Sequence, residues 1–276
     1  MRRVRQGYCL VPSPFDRRRI ARVDLTPGAV EAIVFWTRDP RPLLPHLAEL
    51  EGWGYRFYFQ FTLLDYPRSL DPGTPAAARS LATFGELARS LGPERVVWRY
   101  DPIVLSPATG PDFHLRTFRR LAGELSGACR QVVVSVLDRY RKAEGRLREA
   151  AREGAGPVSP EEEARLLLRL IPGLVAAAGD AGLRIRSCAE TRDLASLGVP
   201  PGACVDGDLV ESLTGRPLRG GKDPGQRKAC RCVASRDVGA YDTCPAGCRY
   251  CYAVSGFRRA RMLQAAHDPD APALVP

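Results

Sequence analysis

Lysine is nearly absent: three lysines stand against 38 arginines among 276 residues, and with 31 acidic side chains the formal net charge is +10. A basic surface attracts phosphate through counterion release. The arginines, however, are spread along the chain, and the denser runs, "RRVR" (Arg2 to Arg5) and "FRRARM" (Phe257 to Met262), read as solvated surface. Nucleic acid is therefore the lesser candidate partner. Long apolar runs are missing too. None approaches the roughly 18 residues of a membrane span, and the basic N-terminus lacks the apolar stretch of a signal peptide. No membrane partner is expected, and the expected compartment is the cytoplasm.

What is present in quantity is a core. At 45% hydrophobic, the chain can bury one large α/β domain. "VEAIVFWT" (Val30 to Thr37), "YRFYFQFTLL" (Tyr55 to Leu64), "RVVWRYDPIVL" (Arg95 to Leu105), "RQVVVSVLD" (Arg130 to Asp138) and "LRIRSCAE" (Leu183 to Glu190) are β-branched or aromatic runs suited to strands. Helix-like segments lie between them. "TPAAARSLATFGELARSLGPE" opens on Thr-Pro and closes on Gly-Pro, "DFHLRTFRRLAGELSG" has a near-helical apolar period, and "SPEEEARLLLRLIPGLVAAAGDAG" starts with a Ser cap, Pro and acids. Such alternation predicts a parallel sheet and an α/β fold, a complete or partial (β/α) barrel.

Barrels of this kind carry chemistry at the C-terminal ends of their strands. Polar residues gather there: Thr37, Arg38 and Asp39, then Gln60 and Thr62, then Arg99 and Asp101, then Asp138, then Cys188 and Glu190. Arg99, Asp101, Asp138 and Glu190 are the candidate catalytic group. Beyond about Ala195 the alternation fades into a Gly/Pro-rich stretch that needs some other brace. Residues 1–194 are accordingly the expected barrel core. Residues 195–276 are expected to form an iron–sulfur segment with a closing helix, packed on the same barrel.

Seven of the nine cysteines lie between Cys188 and Cys251. In a reducing compartment, clustered cysteines point to metal or redox work rather than structural disulfides, while Cys9 and Cys129 read as buried free thiols. Cys244, Cys248 and Cys251 have the C-x3-C-x2-C spacing of radical S-adenosylmethionine proteins, with Tyr250 just before the last cysteine. Three thiolates there hold three irons of a [4Fe–4S] cluster and leave one iron to chelate S-adenosylmethionine. The remaining Cys188, Cys204, Cys230 and Cys232 make a full ligand set for a second [4Fe–4S] cluster or for zinc. One cluster with spare buried thiols stays open as an alternative, as does an iron–sulfur or zinc protein without radical chemistry, its metals bracing a barrel that binds a partner or nucleic acid. No Gly-Gly-Glu strand for the methionine amino group is recognisable; "RGGKD" (Arg219 to Asp223) lacks the acid in place.

"IVFWTRDP", "YRFYFQFT", "VVWRYDPIV", "CAE", "QRKACRC" and "DVGAYDTCPAGCRYCYA" together resemble the uncharacterised proteins grouped as domain of unknown function 1848. The likeness runs from Gly7 to Ala253. It implies a C-terminal cysteine cluster similar to the N-terminal one of radical S-adenosylmethionine enzymes, and no known substrate or reaction. Family members begin with a strand followed by Ser-Arg-Arg-Thr-Asp-Ile-Pro, so this chain is expected to lack that strand. The late position of the motif suggests circular permutation, with "RDVGAYDT" (Arg236 to Thr243) as a strand and "YAVSGFRRARMLQAAH" (Tyr252 to His267) as the helix of a relocated first unit. A small-molecule or macromolecular substrate and a reductant such as ferredoxin or flavodoxin are the partners such chemistry would need.

Overall fold

The computed structural model describes residues 1–13, 18–218, 221–222 and 226–275. Its centre is a six-stranded sheet whose strands follow one another in chain order and are all parallel: β3 (Ile33–Thr37), β4 (Phe57–Thr62), β5 (Val96–Ile103), β6 (Gln131–Val136), β7 (Arg184–Cys188) and the short β8 (Pro201–Gly202). Two further strands, β1 (Tyr8–Pro12) and β2 (Ile20–Asp24), make a separate antiparallel hairpin after the short helix α1 (Arg2–Gln6). A bridge from Leu10 to Ala273 ties that hairpin to the C-terminal tail.

Parallel strands must be joined by crossovers, and the sequence supplies them. The crossover after β3 is a 3-10 turn running into α2 (Leu47–Gly52), followed down the chain by α3 (Ala77–Leu91), α4 (Pro111–Glu124), α5 (Glu144–Arg152) and α6 (Pro160–Asp180). Ser159 caps α6 by accepting the Glu162 N–H at 3.2 Å. Period-two alternation divides each strand between two faces. Phe57, Phe59, Phe61, Trp98, Tyr100, Val132 and Val134 turn to the face covered by the helices, where Phe84, Leu87, Phe118, Leu121, Leu170 and Leu174 complete the main core. Within it His114 is fully buried, its Nδ1 2.8 Å from the Tyr100 hydroxyl and its Nε2 3.1 Å from the Val104 carbonyl. Burial pushes its pKa down to about 4.

Tyr58, Val97 and Val133 turn to the opposite face and pack with Val210 of α7 (Gly207–Thr214). That helix, lying in the stretch expected to be irregular, is properly signalled. The Asp206 carboxylate accepts the Asp208 and Leu209 N–H groups, and Gly215 closes the helix at φ 71°. The sheet likewise runs on past residue 195 through β8. Arg236–Thr243, expected as a strand, is exposed or half-buried and lies in no named strand, with Gly239 in its middle and Asp242 at φ 60°. Its helix does form, as α8 (Phe257–Ala265). Among the described residues no helix is long and apolar enough to cross a membrane.

Candidate functional site

The cysteine loop, Thr243 to Ala253, docks against the loop that follows β4. The Gly73 N–H donates to the Ala246 carbonyl and the Arg249 N–H to the Leu70 carbonyl, both at 2.9 Å. From α5, the Arg146 guanidinium reaches the carbonyls of Arg249, Cys251 and Ser255. Beneath the loop lies a buried polar quartet. Arg38, one residue past β3, donates to Asp71 Oδ2 at 2.7 Å, to Cys248 Sγ at 3.2 Å and to the Tyr250 hydroxyl at 2.8 Å, while Tyr250 donates to Asp71 Oδ1 at 2.7 Å.

The electrostatics follow from that enclosure. Burial works against the Arg38 charge, but Tyr250, Asp71 and Cys248 outweigh it and hold its pKa above the ordinary arginine value. Burial pushes the Cys248 thiol up to about 12, against the pull of Arg38, and also raises Cys251. Cys244 is exposed. The guanidinium lies beside Cys248 Sγ, where it favours the thiolate that forms when a metal displaces the thiol proton to solvent.

Cys188, Cys204, Cys230 and Cys232 form a second group, under the opposite face of the sheet. Cys232 Sγ accepts the N–H groups of Cys204 and Val205 at 3.2 Å, Cys230 Sγ accepts the Cys232 N–H at 3.5 Å, and Arg99 donates to Cys204 Sγ at 2.7 Å. The Cys204 carbonyl is held by Tyr58 Oη at 2.6 Å and Gln60 Nε2 at 3.0 Å. Cys188 and Cys204 are joined as a disulfide, contrary to the expectation of free thiols; they follow neighbouring strands, with Cα atoms 6.4 Å apart. Cys9 and Cys129 are buried free thiols. Among the described residues no group of three or more His, Cys, Asp or Glu side chains is placed so that it could hold a metal ion. The fit of a metal or cluster therefore rests on the chemistry of the donors: three unpaired thiols on one loop, and four sulfurs, three of them already receiving hydrogen bonds, in one buried group.

The four candidate catalytic residues divide. Arg99 and Asp101 are joined, with Ser135 donating to the other Asp101 oxygen, so this chain of side chains ends on Cys204 Sγ. Asp138 is paired with Arg227 at 2.6 Å and touched by the Tyr140 hydroxyl at 3.4 Å. Glu190 Oε1 accepts the N–H groups of Thr191 and Arg192 and the Arg192 side chain, and Oε2 accepts the Val136 N–H, so that the carboxylate braces β6 against the turn after β7. Thr37 Oγ1 accepts the Asp39 N–H, and Asp39 is taken up by Arg41. Gln60 keeps one unpartnered atom, its buried Oε1. Of the "RGGKD" residues, Arg219, Gly220 and Asp223 lie outside the described residues.

Asp71, Arg146 and Ser135 are the site residues that sequence reasoning missed. Between the two cysteine groups lies an aromatic seam in which Tyr140 and Tyr252 sit 5.1 Å apart and Tyr241 is 6.5 Å from Tyr252. Two surface cavities lie elsewhere, one against α6 beside Glu163 and Arg192 and the other beside Val4 and Tyr55.

No curated protein and no solved structure matches the chain. Residues 1–253 match the family model described as Domain of unknown function (DUF1848). The order of motifs and this near-complete match agree: the chain belongs to the DUF1848 family.

Proposed function

We propose that this is an iron–sulfur protein of radical S-adenosylmethionine type, with a [4Fe–4S] cluster held by Cys244, Cys248 and Cys251. The observation that carries the reading is the seating of the three-cysteine loop, through Cys248 and Tyr250, on Arg38 and Asp71 beside the ends of parallel strands. A cluster bound by three thiolates leaves one iron free of protein ligands and able to bind S-adenosylmethionine, whose sulfonium a single electron then cleaves.

The chain's own residues have defined parts in this reading. Arg38 balances the Cys248 thiolate and, with Tyr250, fixes the loop over Asp71. Arg146 takes up the loop carbonyls of Arg249 and Cys251 and that of Ser255 just beyond the loop. Arg99, Asp101 and Ser135, on the face opposite the helices, are the groups left to orient a substrate. The sequential parallel sheet, with its crossovers on one face, supports reading the fold as an incomplete (β/α) barrel. The relocated unit then contributes its cysteine loop and α8 but no strand.

The test is anaerobic reconstitution with iron and sulfide. About four irons should bind at this loop, the reduced cluster's electron paramagnetic resonance spectrum should change with S-adenosylmethionine, and dithionite should release 5′-deoxyadenosine. Changing Cys244, Cys248 or Cys251 to Ala should abolish all three. A loaded cluster whose spectrum ignores S-adenosylmethionine, with no deoxyadenosine formed, would overturn the radical reading.

A further inference from the structure

Cys188, Cys204, Cys230 and Cys232 come from three places in the chain: the end of β7, the turn after β8, and the loop beyond α7. They meet in one buried group with Val205 and Val233 at the edge of the face opposite the helices. The segment that carries them has only α7 as regular structure between Ala203 and Phe257 among the described residues. A stretch so poor in its own core needs a cross-link to hold it.

We propose that these four cysteines, in reduced form, bind a single structural zinc ion, separate from and not dependent on the cluster assigned to Cys244, Cys248 and Cys251. Three features select thiolate ligands of a small ion. The first is the pattern of donors. Cys232 Sγ receives two backbone N–H groups and Cys204 Sγ a guanidinium at 2.7 Å, while Cys230 Sγ receives one N–H and donates to Gln226 Oε1. Donors converging on sulfur stabilise negative charge there, and a disulfide sulfur carries none. The second is spacing. Zinc–sulfur bonds of about 2.3 Å in a tetrahedron hold the sulfurs about 3.8 Å apart. Cα atoms 6.4 Å apart at Cys188 and Cys204 bring two sulfurs within that reach, and Cys232 Sγ lies 3.2 Å from the backbone nitrogen of Cys204. The third is closure. Four thiolates complete the tetrahedron and leave no open position, as a structural site requires.

With Cys188 and Cys204 joined, no three of these described side chains are placed to hold a metal ion; the disulfide and the zinc site are alternative states of the same sulfurs. Passing from one to the other takes two electrons and two protons from a dithiol reductant, which is itself oxidised to its disulfide. Zinc then displaces the four thiol protons to solvent, with no further electron transfer. In the zinc state the net charge of the four thiolates and the ion is −2, and Arg99 lies against it while remaining paired with Asp101.

The experiment uses the full chain purified without oxygen in the presence of a dithiol, with zinc, iron and sulfide measured together. About one zinc per chain is expected, and it should remain when Cys244, Cys248 and Cys251 are all changed to Ala, so that loss of iron and loss of zinc are read separately. Cys232→Ser should cut zinc at least tenfold. Because that variant could fail to fold, Cys230→His is the companion. The Cys230 side chain is half-buried, and a histidine there should keep metal while shifting the visible bands of the cobalt(II)-substituted protein from those of a four-sulfur site toward a three-sulfur, one-nitrogen site. Unchanged cobalt bands in Cys230→His would overturn the proposal. So would zinc-free protein whose intact mass shows a Cys188–Cys204 disulfide, or a second set of irons and sulfide lost on Cys232→Ser.

Discussion

The regular part of the chain, from β3 to β8, and the cysteine-bearing part that follows solve the same problem by different means. In the first, strands and helices satisfy their own backbone, and alternation buries a continuous apolar layer. In the second, backbone groups are satisfied by side chains of the first: Tyr58 and Gln60 hold the Cys204 carbonyl, and Arg146 holds the carbonyls of Arg249, Cys251 and Ser255. Arg38 adds bonds to the side chains of Cys248 and Tyr250. The geometry of the cysteine segment is set by polar groups mounted on the scaffold, and Cys248 and Tyr250 insert into the scaffold's own core.

The largest expected effect is at the joint between the two parts. Arg38→Ala leaves Asp71, whose side chain is 3% exposed, as a buried charge without its counter-ion, still bonded to the Tyr250 hydroxyl, at a cost of about 3–5 kcal/mol. Arg99→Ala leaves Asp101, 18% exposed and still bonded to Ser135, at a cost of about 1–3 kcal/mol. Urea unfolding of both metal-free variants checks the ranking, and adding Asp71→Asn to Arg38→Ala should recover part of the loss. Equal losses from Arg38→Ala and Arg99→Ala would mean that the two joints are not different in kind.

The same division explains what could be read from sequence. All five long strands of the sheet were legible, because a buried parallel strand writes a dense β-branched or aromatic run, and the long helices α3, α4 and α6 were legible from caps and period. α7 was passed over although Asp206 and Gly215 mark its ends, because Gly and Pro around it masked the signal. Arg236–Thr243 failed as a strand since a strand needs a partner edge, and this stretch carries Gly239 and Asp237 instead of a pairing face. At the site, cysteine spacing singled out the loop, but nothing local marks Asp71 or Arg146 as its supports. Their partners are distant in the chain, Tyr250 for Asp71 and Cys251 for Arg146. Nor does an acid at a strand end announce in sequence the donors it will meet, as Glu190 meets the N–H groups of Val136, Thr191 and Arg192.

Acid should attack the scaffold and leave the comparison sharper. His114 is held neutral, its pKa about 4 against an ordinary 6.5, chiefly by burial and in spite of its bond to the Val104 carbonyl. A depressed pKa contributes stability that is complete above pH 6.5 and is lost as the pH falls through 4. At about 1.4 kcal/mol per pH unit the loss from this group is at most about 3 kcal/mol. His114→Gln keeps a donor and an acceptor without a charge to gain, so its unfolding free energy should fall less steeply over that window. The difference in slope should be the same with and without metal, because His114 sits in the helix-covered core. A slope difference that appears only in metal-loaded protein would mean that the scaffold is not independent of the cysteine layer.

The smallest change tests the docking itself. At Gly73 an added Cβ would lie 2.5 Å from the Ala246 carbonyl oxygen, and since that atom is backbone, the cysteine loop must move rather than a side chain rotate. Gly73→Ala should cost about 1–3 kcal/mol, the usual penalty for forcing an atom into a packed contact. More telling is where the cost falls. The Gly73 N–H bond to Ala246 and the Arg249 N–H bond to Leu70 both hold this edge of the loop, so displacement there should lower iron retention at Cys244, Cys248 and Cys251. Cys188, Cys204, Cys230 and Cys232 pack on the other face of the sheet, with no contact to Gly73, and their metal content should be unchanged. Metal analysis of Gly73→Ala beside the parent protein decides it: parallel loss at both cysteine groups would make them one cooperative unit instead of two attachments to a common scaffold.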